Sequence, residues 1–335
     1  MPILVCGISA FEFWRSRRSR DSPGLPGTPV PHLTQFGKPT REEVLEARRV
    51  LGLAEGDKLH VLVGNDPGRR HFSSYVCHFR SVKDWLPGDS LMQIGRGIWV
   101  VSPELLFLEA SGTLNRIDLI RLGMELCSLH YAPDPSDRGR LELRDNPLTS
   151  ASQMTAFLEG AGHAYGRTKA LAAASLLIDG AASPREASLA LSLSLPTKLG
   201  GFELPKPILN GKCSLGPIGS ELMGVDSLRP DLLWPEAHVA IEYDSDEYHS
   251  SRESLDCDST RRKALEASGL RVITFRNRDY GDFKRLYQNV RALREAMGMR
   301  NRQTTATIQT RRLLLHMELR LGWDWRTAFA ATRKR

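Results

Sequence analysis

The stretch RPDLLWPEAHVAIEYDSDEYH, residues 229–249, decides the fold of the second half of this chain. Two apolar runs flank a turn signal at Pro235–Ala237, which predicts a hairpin of two β-strands. In the register that centres the hairpin on this turn, Asp231 lies opposite Glu242, with Cβ atoms about 5 Å apart. A slip of one residue would move Asp231 to the other face.

Acidic side chains gather on one face of this predicted hairpin. Glu242 and Asp244 share a face because side chains alternate along a strand. With Asp231 opposite, three carboxylates converge, and their repulsion would be relieved by a divalent cation. Oxygen ligands on rigid strands suit Mg²⁺ (or Mn²⁺), whose bound water can attack a phosphodiester. The alternative is that these carboxylates near strand ends are simply solvated.

The elements around the hairpin predict an α/β domain over residues 183–299. Ser183-Pro184-Arg185-Glu186 has the pattern of a helix N-terminus. The predicted order is α-β-β-β-α-β-α, formed by a helix to about Leu195, a strand within 207–215, two strands within 231–244, a helix at about 256–268, a strand at 270–275 and a helix from 282.

The region before this domain mixes strand-like and helical patterns. Residues 21–38 are rich in Pro and Gly and predict a loop, and Thr40 with Glu43 predicts a capped helix to Gly52. Further elements are strands within 59–64, 73–79 and 91–102, and helices at 103–112, 115–130, 150–161 and 165–179, the last ending at Gly180. The fold class is therefore α/β (α+β), with an N-terminal α+β domain at 1–147, connecting helices at 148–182, the α/β domain at 183–299 and a basic helical tail at 300–335.

Composition restricts the possible partners and location. The net charge of +7 over 335 residues favours polyanions such as DNA. No apolar run approaches the ~20 residues of a membrane helix, and the apolar start of the chain predicts a buried element rather than a signal peptide. The five cysteines are scattered and odd in number, which favours reduced thiols and a cytoplasmic protein. No phosphate loop, H-E-x-x-H or G-x-S-x-G motif is present.

The order of motifs in residues 183–299 resembles the PD-(D/E)XK nuclease superfamily, especially its Vsr-like endonucleases and the related domain of unknown function 559 proteins. The motifs, in chain order, are Ser183-Pro184-Arg185-Glu186, Pro230-Asp231, Glu242-Tyr243-Asp244, His249, Asp258 with Arg261 and Arg262, Leu265 with Gly269, and Phe275-Arg276-Asn277. The resemblance implies a restriction-endonuclease-like fold and a metal-dependent DNA endonuclease.

This resemblance also implies roles for individual residues. Asp231 would be the main metal ligand, completed by Glu242 or Asp244, with Glu186 pointing into the site and His249 donating a proton or orienting a phosphate. Phosphate contacts would come from Arg261, Arg262, Lys263 and Arg276. Three structural alternatives stay open: a capping box for Glu186, an ordinary loop position for His249, and a surface ion pair between Asp258 and Arg262.

Two departures from the family pattern bear on activity. The usual lysine two residues after the acidic residue is replaced by Asp244, and the usual Asp-Gly is Asp244-Ser245. The N-terminal residues 99–111 and 119–127 faintly resemble AbiEi-type antitoxins, although an ordinary packed helix after a strand has the same pattern. We therefore weigh the endonuclease against a non-catalytic DNA-binding or antitoxin-like regulator with a cognate toxin as partner.

Overall fold

A computed structural model describes residues 1–21, 31–64, 71–80, 87–134, 140–244, 252–301 and 303–330, and for 252–258 and 330 it describes the backbone only. The chain divides into two compact units: unit 1 comprises Met1–Leu177 and Asp324–Arg335, and unit 2 comprises Ile178–Trp323. The division falls inside the predicted connecting segment 148–182. It also separates the predicted basic tail, 300–335, into a part that belongs to unit 2 and a part that belongs to unit 1.

Unit 1 is built on a five-stranded mixed sheet of order β3-β2-β1-β5-β4. Its strands are β1 (Ile3–Val5), β2 (Leu59–Val63), β3 (Tyr75–Phe79), β4 (Leu91–Gly95) and β5 (Ile98–Val101), with a separate pair, β6 (His130–Tyr131) and β7 (Glu142–Leu143). Its helices are α1 (Gly7–Arg15), α2 (Arg41–Leu51), α3 (Pro103–Ser111), α4 (Arg116–Leu126), α5 (Ala151–Gly160), α6 (Arg167–Ala174) and α13 (Trp325–Ala330). β1, β2 and β5 are buried along their whole length, as expected of strands covered on both faces.

Local signals predicted most of unit 1. The side chain of Thr40 accepts a hydrogen bond from the Glu43 N–H at the start of α2, and Gly52 ends that helix with a φ of 62°. Two predictions were wrong: the helix expected over 115–130 ends at Leu126, and the helix expected to reach Gly180 ends at Ala174. Its last turn tightens into bonds from Leu176 N to Ala173 O (2.9 Å) and from Leu177 N to Ala174 O, which satisfy the last carbonyls and close the helix.

Unit 2 is built on a four-stranded sheet of order β13-β12-β11-β8, in which only β12 and β13 are parallel. The strands of this sheet are β8 (Ile208–Leu209), β11 (Leu232–Trp234), β12 (Val239–Asp244) and β13 (Arg271–Arg276). A separate antiparallel pair is formed by β9 (Cys213–Ser214) and β10 (Ser227–Leu228). Its helices are α7 (Pro184–Ser194), α8 (Pro217–Met223), α9 (Arg252–Ala267), α10 (Asn277–Gly281), α11 (Phe283–Ala296) and α12 (Ala306–Arg320). Both units combine helices with sheets, so the expected α/β (α+β) class is confirmed.

The hairpin of β11 and β12 has the register expected from the sequence. Leu232 pairs with Ile241 and Trp234 with Val239. The chain reverses through a single helical turn at Pro235–Ala237 and through His238, whose φ of 52° lies in the left-handed region. The alternative register, shifted by one residue, does not occur.

The order of the main elements of unit 2 follows the prediction, with an unpredicted insertion between β8 and β11. The single strand expected within 207–215 is divided into β8 and β9, because Asn210 takes a φ of 51° and breaks the run. The helix α8 then begins with Pro217 in its first turn and ends at Gly224, with a φ of 68°. Together β9, α8 and β10 form an insertion that packs against α9, since Cys213, Leu215 and Met223 adjoin its buried cluster.

One face of the unit 2 sheet is covered by α9. Leu233, Ala240 and Val272 of the sheet lie in one buried cluster with Ala264 and Leu265 of this helix. Because side chains alternate along strands, this face also carries the positions of Asp231, Glu242 and Asp244. The helix that packs on the core therefore also borders the acidic end of the hairpin.

The sequence also predicted reduced cysteines and no membrane-spanning helix. The four cysteines whose side chains are described are reduced thiols, outside any disulfide: Cys6, Cys77, Cys127 and Cys213. In the described part of the chain, every helix is too short or too polar to traverse a lipid bilayer.

Candidate active site

Two carboxylates meet at the open end of the hairpin in unit 2. Continuing the β11–β12 register by one residue places Asp231 opposite Glu242. The Oδ2 atom of Asp231 accepts a hydrogen bond of 2.6 Å from the Tyr243 N–H. Asp231 is therefore held against β12, beside the residue that carries the second carboxylate.

The environment of Asp231 disfavours its charged form. Burial, together with the nearby carboxylates of Glu186 and Glu242, raises the pKa of Asp231 to about 7, although the Tyr243 N–H and Arg261 oppose the shift. A carboxyl with this pKa carries a proton for much of the time at neutral pH. A cation placed beside it would remove the repulsion from its neighbours.

Glu186 reaches this site from the first turn of α7. Its carboxylate accepts hydrogen bonds from Ala182 N (2.9 Å), Ser183 Oγ (2.9 Å) and Asn210 Nδ2 (2.8 Å). The side chain of Ser183 caps the helix by accepting from Glu186 N, at 3.2 Å. Glu186 binds the backbone one residue before the position that a capping box requires, so it closes the helix start and also contributes negative charge near Asp231.

Asn210 is a part of the site that sequence reasoning missed. Its Nδ2 also donates to Gly180 O, at 3.0 Å, and its backbone N–H donates to Asp231 O, at 3.0 Å. The residue therefore joins β11 to Glu186 and to the segment before α7. The available signal was the Asn210-Gly211 pair, which is typical of a turn with positive φ.

Arg261 of α9 lies against the acidic pair. Its Nε is 3.1 Å from Oε1 of Glu242, with 29% of the arginine and 20% of the glutamate side chain exposed. The same guanidinium donates to the backbone oxygen of Arg229. The structure thus brings together Asp231, Glu242, Glu186 and Arg261, all of which the sequence selected.

Asp244 pairs with a different cation. Its Oδ2 is 3.6 Å from Nε of Arg276, and 36% of the Asp244 side chain and 49% of the Arg276 side chain are exposed. Asp244 and Arg276 are partners in the parallel register of β12 and β13. An exposed ion pair of this kind contributes no more than about 1 kcal/mol.

The remaining predicted residues are less closely tied to the site. Arg262 pairs with Glu266, at 2.9 Å, and the alternative ion pair with Asp258 stays a prediction. Glu266 lies one helical turn after Arg262, and Asp258 lies one turn before it. Lys263 is exposed on α9. His249 and the side chain of Asp258 lie outside the described residues.

The carboxylate oxygens at the end of the hairpin are of the type that divalent cations such as Mg²⁺ bind. In the described ranges, no group of three His, Cys, Asp or Glu side chains is arranged to hold a metal ion. Mg²⁺, however, commonly binds through one or two carboxylates and completes its shell with water and substrate phosphate. Asp231 and Glu242 fit that form of site by chemistry, and the raised pKa of Asp231 marks the place where positive charge is needed.

Comparisons with protein-family models, with curated proteins and with solved structures found no match. The architecture of the protein is therefore the basis for proposing its function. It has two α/β units, and the second carries a cluster of carboxylates beside an arginine at the open end of a hairpin.

Proposed function

We propose that unit 2 is a nuclease-like domain of the PD-(D/E)XK type, which hydrolyses DNA phosphodiester bonds with a divalent cation. The observation that carries this proposal is the meeting of Asp231, Glu242 and Glu186 at one sheet end, with the pKa of Asp231 raised to about 7. Buried carboxylates that repel one another are costly for folding. Their convergence is explained if the site works with a bound cation.

Charge around the site supports a polyanionic substrate. Arg261 and Arg276 border the carboxylates, and the whole chain has a net charge of +7. Lys263 and Arg262 are exposed on the same helix as Arg261. Such residues attract DNA through its phosphates without regard to sequence.

The residues of the site would divide metal binding, positioning and charge stabilisation among them. Asp231 and Glu242 would hold Mg²⁺ or Mn²⁺, which supplies an activated water and polarises the phosphate. Glu186 and Asn210 fix the backbone that carries Asp231. Arg261 takes the place of the absent lysine as the nearest cationic group, and it would stabilise negative charge that develops on the phosphate.

A second candidate is a non-catalytic DNA-binding or antitoxin-like regulator, whose partners would be DNA and a cognate toxin. A specific observation favours it. Each acidic residue expected to bind metal already has a protein partner: Tyr243 N–H for Asp231, Arg261 for Glu242 and Arg276 for Asp244. A cluster neutralised in this way needs no cation, and a fold alone does not dictate catalysis. For either candidate we propose a cytoplasmic location.

A plasmid-cleavage experiment separates the two candidates. Full-length protein is incubated with supercoiled plasmid and Mg²⁺ or Mn²⁺, beside the variants Asp231→Asn and Glu242→Gln. The matched control is Glu236→Gln, which makes the same change at an exposed position in the turn of the same hairpin. The endonuclease predicts cation-dependent nicking that falls by at least about 100-fold in the two site variants and persists in the control.

The regulator predicts a different pattern. DNA would be retarded in a gel without being nicked, and neither site variant would change that binding. An absence of DNA binding at low salt would contradict both candidates, because electrostatic attraction to phosphates is strongest there.

A further inference from the structure

Unit 2 contains a cavity of about 360 Å³ that lies among α11, α12 and the segment that joins them. Among the described residues, its walls carry three arginines, Arg291, Arg294 and Arg312, and one acidic residue, Glu203. These four side chains give the cavity walls a net charge of +2, from three positive charges and one negative charge. The volume is within the range of small-molecule sites, which begins at roughly 300 Å³.

Arg312 is the most unusual of these residues because it is buried, with only 8% of its surface exposed. Its guanidinium carbon lies 4.6 Å from the centre of the Phe202 ring. Its Nε donates one long hydrogen bond of 3.5 Å to Gly201 O. The guanidinium group is therefore held by stacking and by few hydrogen bonds, although it can donate five.

Acidic charge near the three guanidinium groups comes from Glu203, which interacts electrostatically with Arg312 without forming an ion pair. Arg294 donates to the backbone oxygens of Arg300 (3.2 Å) and Phe202 (3.4 Å), and these contacts orient it without neutralising it. Glu203 is engaged by the hydroxyl of Thr197, at 2.8 Å. Within the described part of the chain, none of the three arginines forms an ion pair with a carboxylate.

A buried cation that forms no ion pair with a carboxylate is costly. Burial lowers the pKa of Arg312, and neighbouring Arg294 acts in the same direction, while Tyr287, which also hydrogen-bonds to this arginine, and Glu203 oppose the shift. Planar guanidinium groups are well suited to bind phosphate with paired hydrogen bonds. Tyr287, Thr304, Asn301 and Gln303 add polar atoms to the same walls.

We propose that this cavity binds the dianionic phosphate group of a small phosphomonoester. The two negative charges of such a group match the excess positive charge of the walls. The buried Arg312 and the half-buried Arg294 receive the phosphate, and the exposed Arg291 closes over it. This site is separate from the Asp231–Glu242 pair, and it stands whether or not unit 2 cleaves DNA.

Binding is tested on the full-length chain with three probes: inorganic phosphate, adenosine 5′-monophosphate and a short DNA duplex without terminal phosphates. Calorimetry and thermal shift are recorded at constant ionic strength. The informative variant is Arg291→Gln, because this exposed side chain can be removed without disturbing the core. Arg311→Gln is the matched control, since Arg311 is the exposed neighbour of Arg312 on α12 and the change in charge is the same.

The proposal predicts saturable binding of the monophosphate and of inorganic phosphate, weakened at least about tenfold by Arg291→Gln and unchanged by Arg311→Gln. Arg312→Met should abolish binding, and circular dichroism establishes that this variant is folded. Binding of the DNA duplex alone, weakened by Arg291→Gln, would overturn the proposal and assign the arginines to a nucleic-acid surface. An absence of binding by all three probes would also overturn it.

Discussion

Individual side chains near Asp231 were predicted from the sequence to different extents. The opposition of Asp231 and Glu242 followed from the hairpin register, which apolar alternation and a proline turn specify locally. The ion pair of Glu242 with Arg261 could not be derived in this way, because it depends on how α9 packs on the sheet. Asn210 was missed for a similar reason: its role arises from a tertiary contact with Glu186, 24 positions away in the chain.

The raised pKa of Asp231 predicts how stability changes with pH. A carboxyl with a higher pKa in the folded state than in the unfolded state binds protons more tightly when folded. Its contribution to stability is therefore retained below pH 4 and is lost as the pH rises from about 4 towards about 7. We expect the unfolding free energy of the protein, relative to that of Asp231→Asn, to fall by roughly 2 kcal/mol over this range, after allowance for partial solvent access.

Denaturant unfolding of both proteins between pH 4 and pH 8 measures this difference. Glu109 of unit 1 also has a pKa raised to about 7 by burial, and comparison with the variant removes its contribution. A difference that stays constant with pH would show that Asp231 titrates normally.

Secondary-structure elements were predictable where the local signals agreed with the packing. The helices α2 and α7 have capping residues and proline or glycine at their ends, and the structure confirms both. The insertion of β9, α8 and β10 was missed because its elements are short. Its position is fixed by close packing of α8 on α9, which leaves no periodic pattern in the sequence.

A pair of glycine substitutions tests this packing. A Cβ atom on Gly219 would lie 2.7 Å from the Ala264 backbone oxygen, whereas on Gly216 the nearest atom is 3.9 Å away. We expect Gly219→Ala to destabilise unit 2 by about 1–3 kcal/mol because α8 must move away from α9. Gly216→Ala is the control, and thermal unfolding of the two variants should differ clearly. Equal stability would mean that α8 does not pack closely on α9.

At the scale of the whole molecule, the sequence predicted the α/β class, but not the way in which the final residues are distributed. Residues 300–335 were expected to form one basic tail, yet α12 belongs to unit 2 and α13 to unit 1. Buried residues of α12 such as Leu315, His316 and Leu319 explain its inclusion in unit 2. Charge alone indicated a solvated terminus, because the apolar residues of α12 do not reveal from the sequence which surface they cover.

Binding of Mn²⁺ at pH 7.5, measured by calorimetry on the full chain, tests most directly whether the acidic pair is a cation site. The account predicts saturable binding that is lost in Asp231→Asn and in Glu242→Gln and retained in Glu236→Gln. It also predicts weaker binding at pH 5.5, where protons compete for Asp231. Equal Mn²⁺ binding by the protein and all three variants, or no saturable binding by any of them, would contradict it.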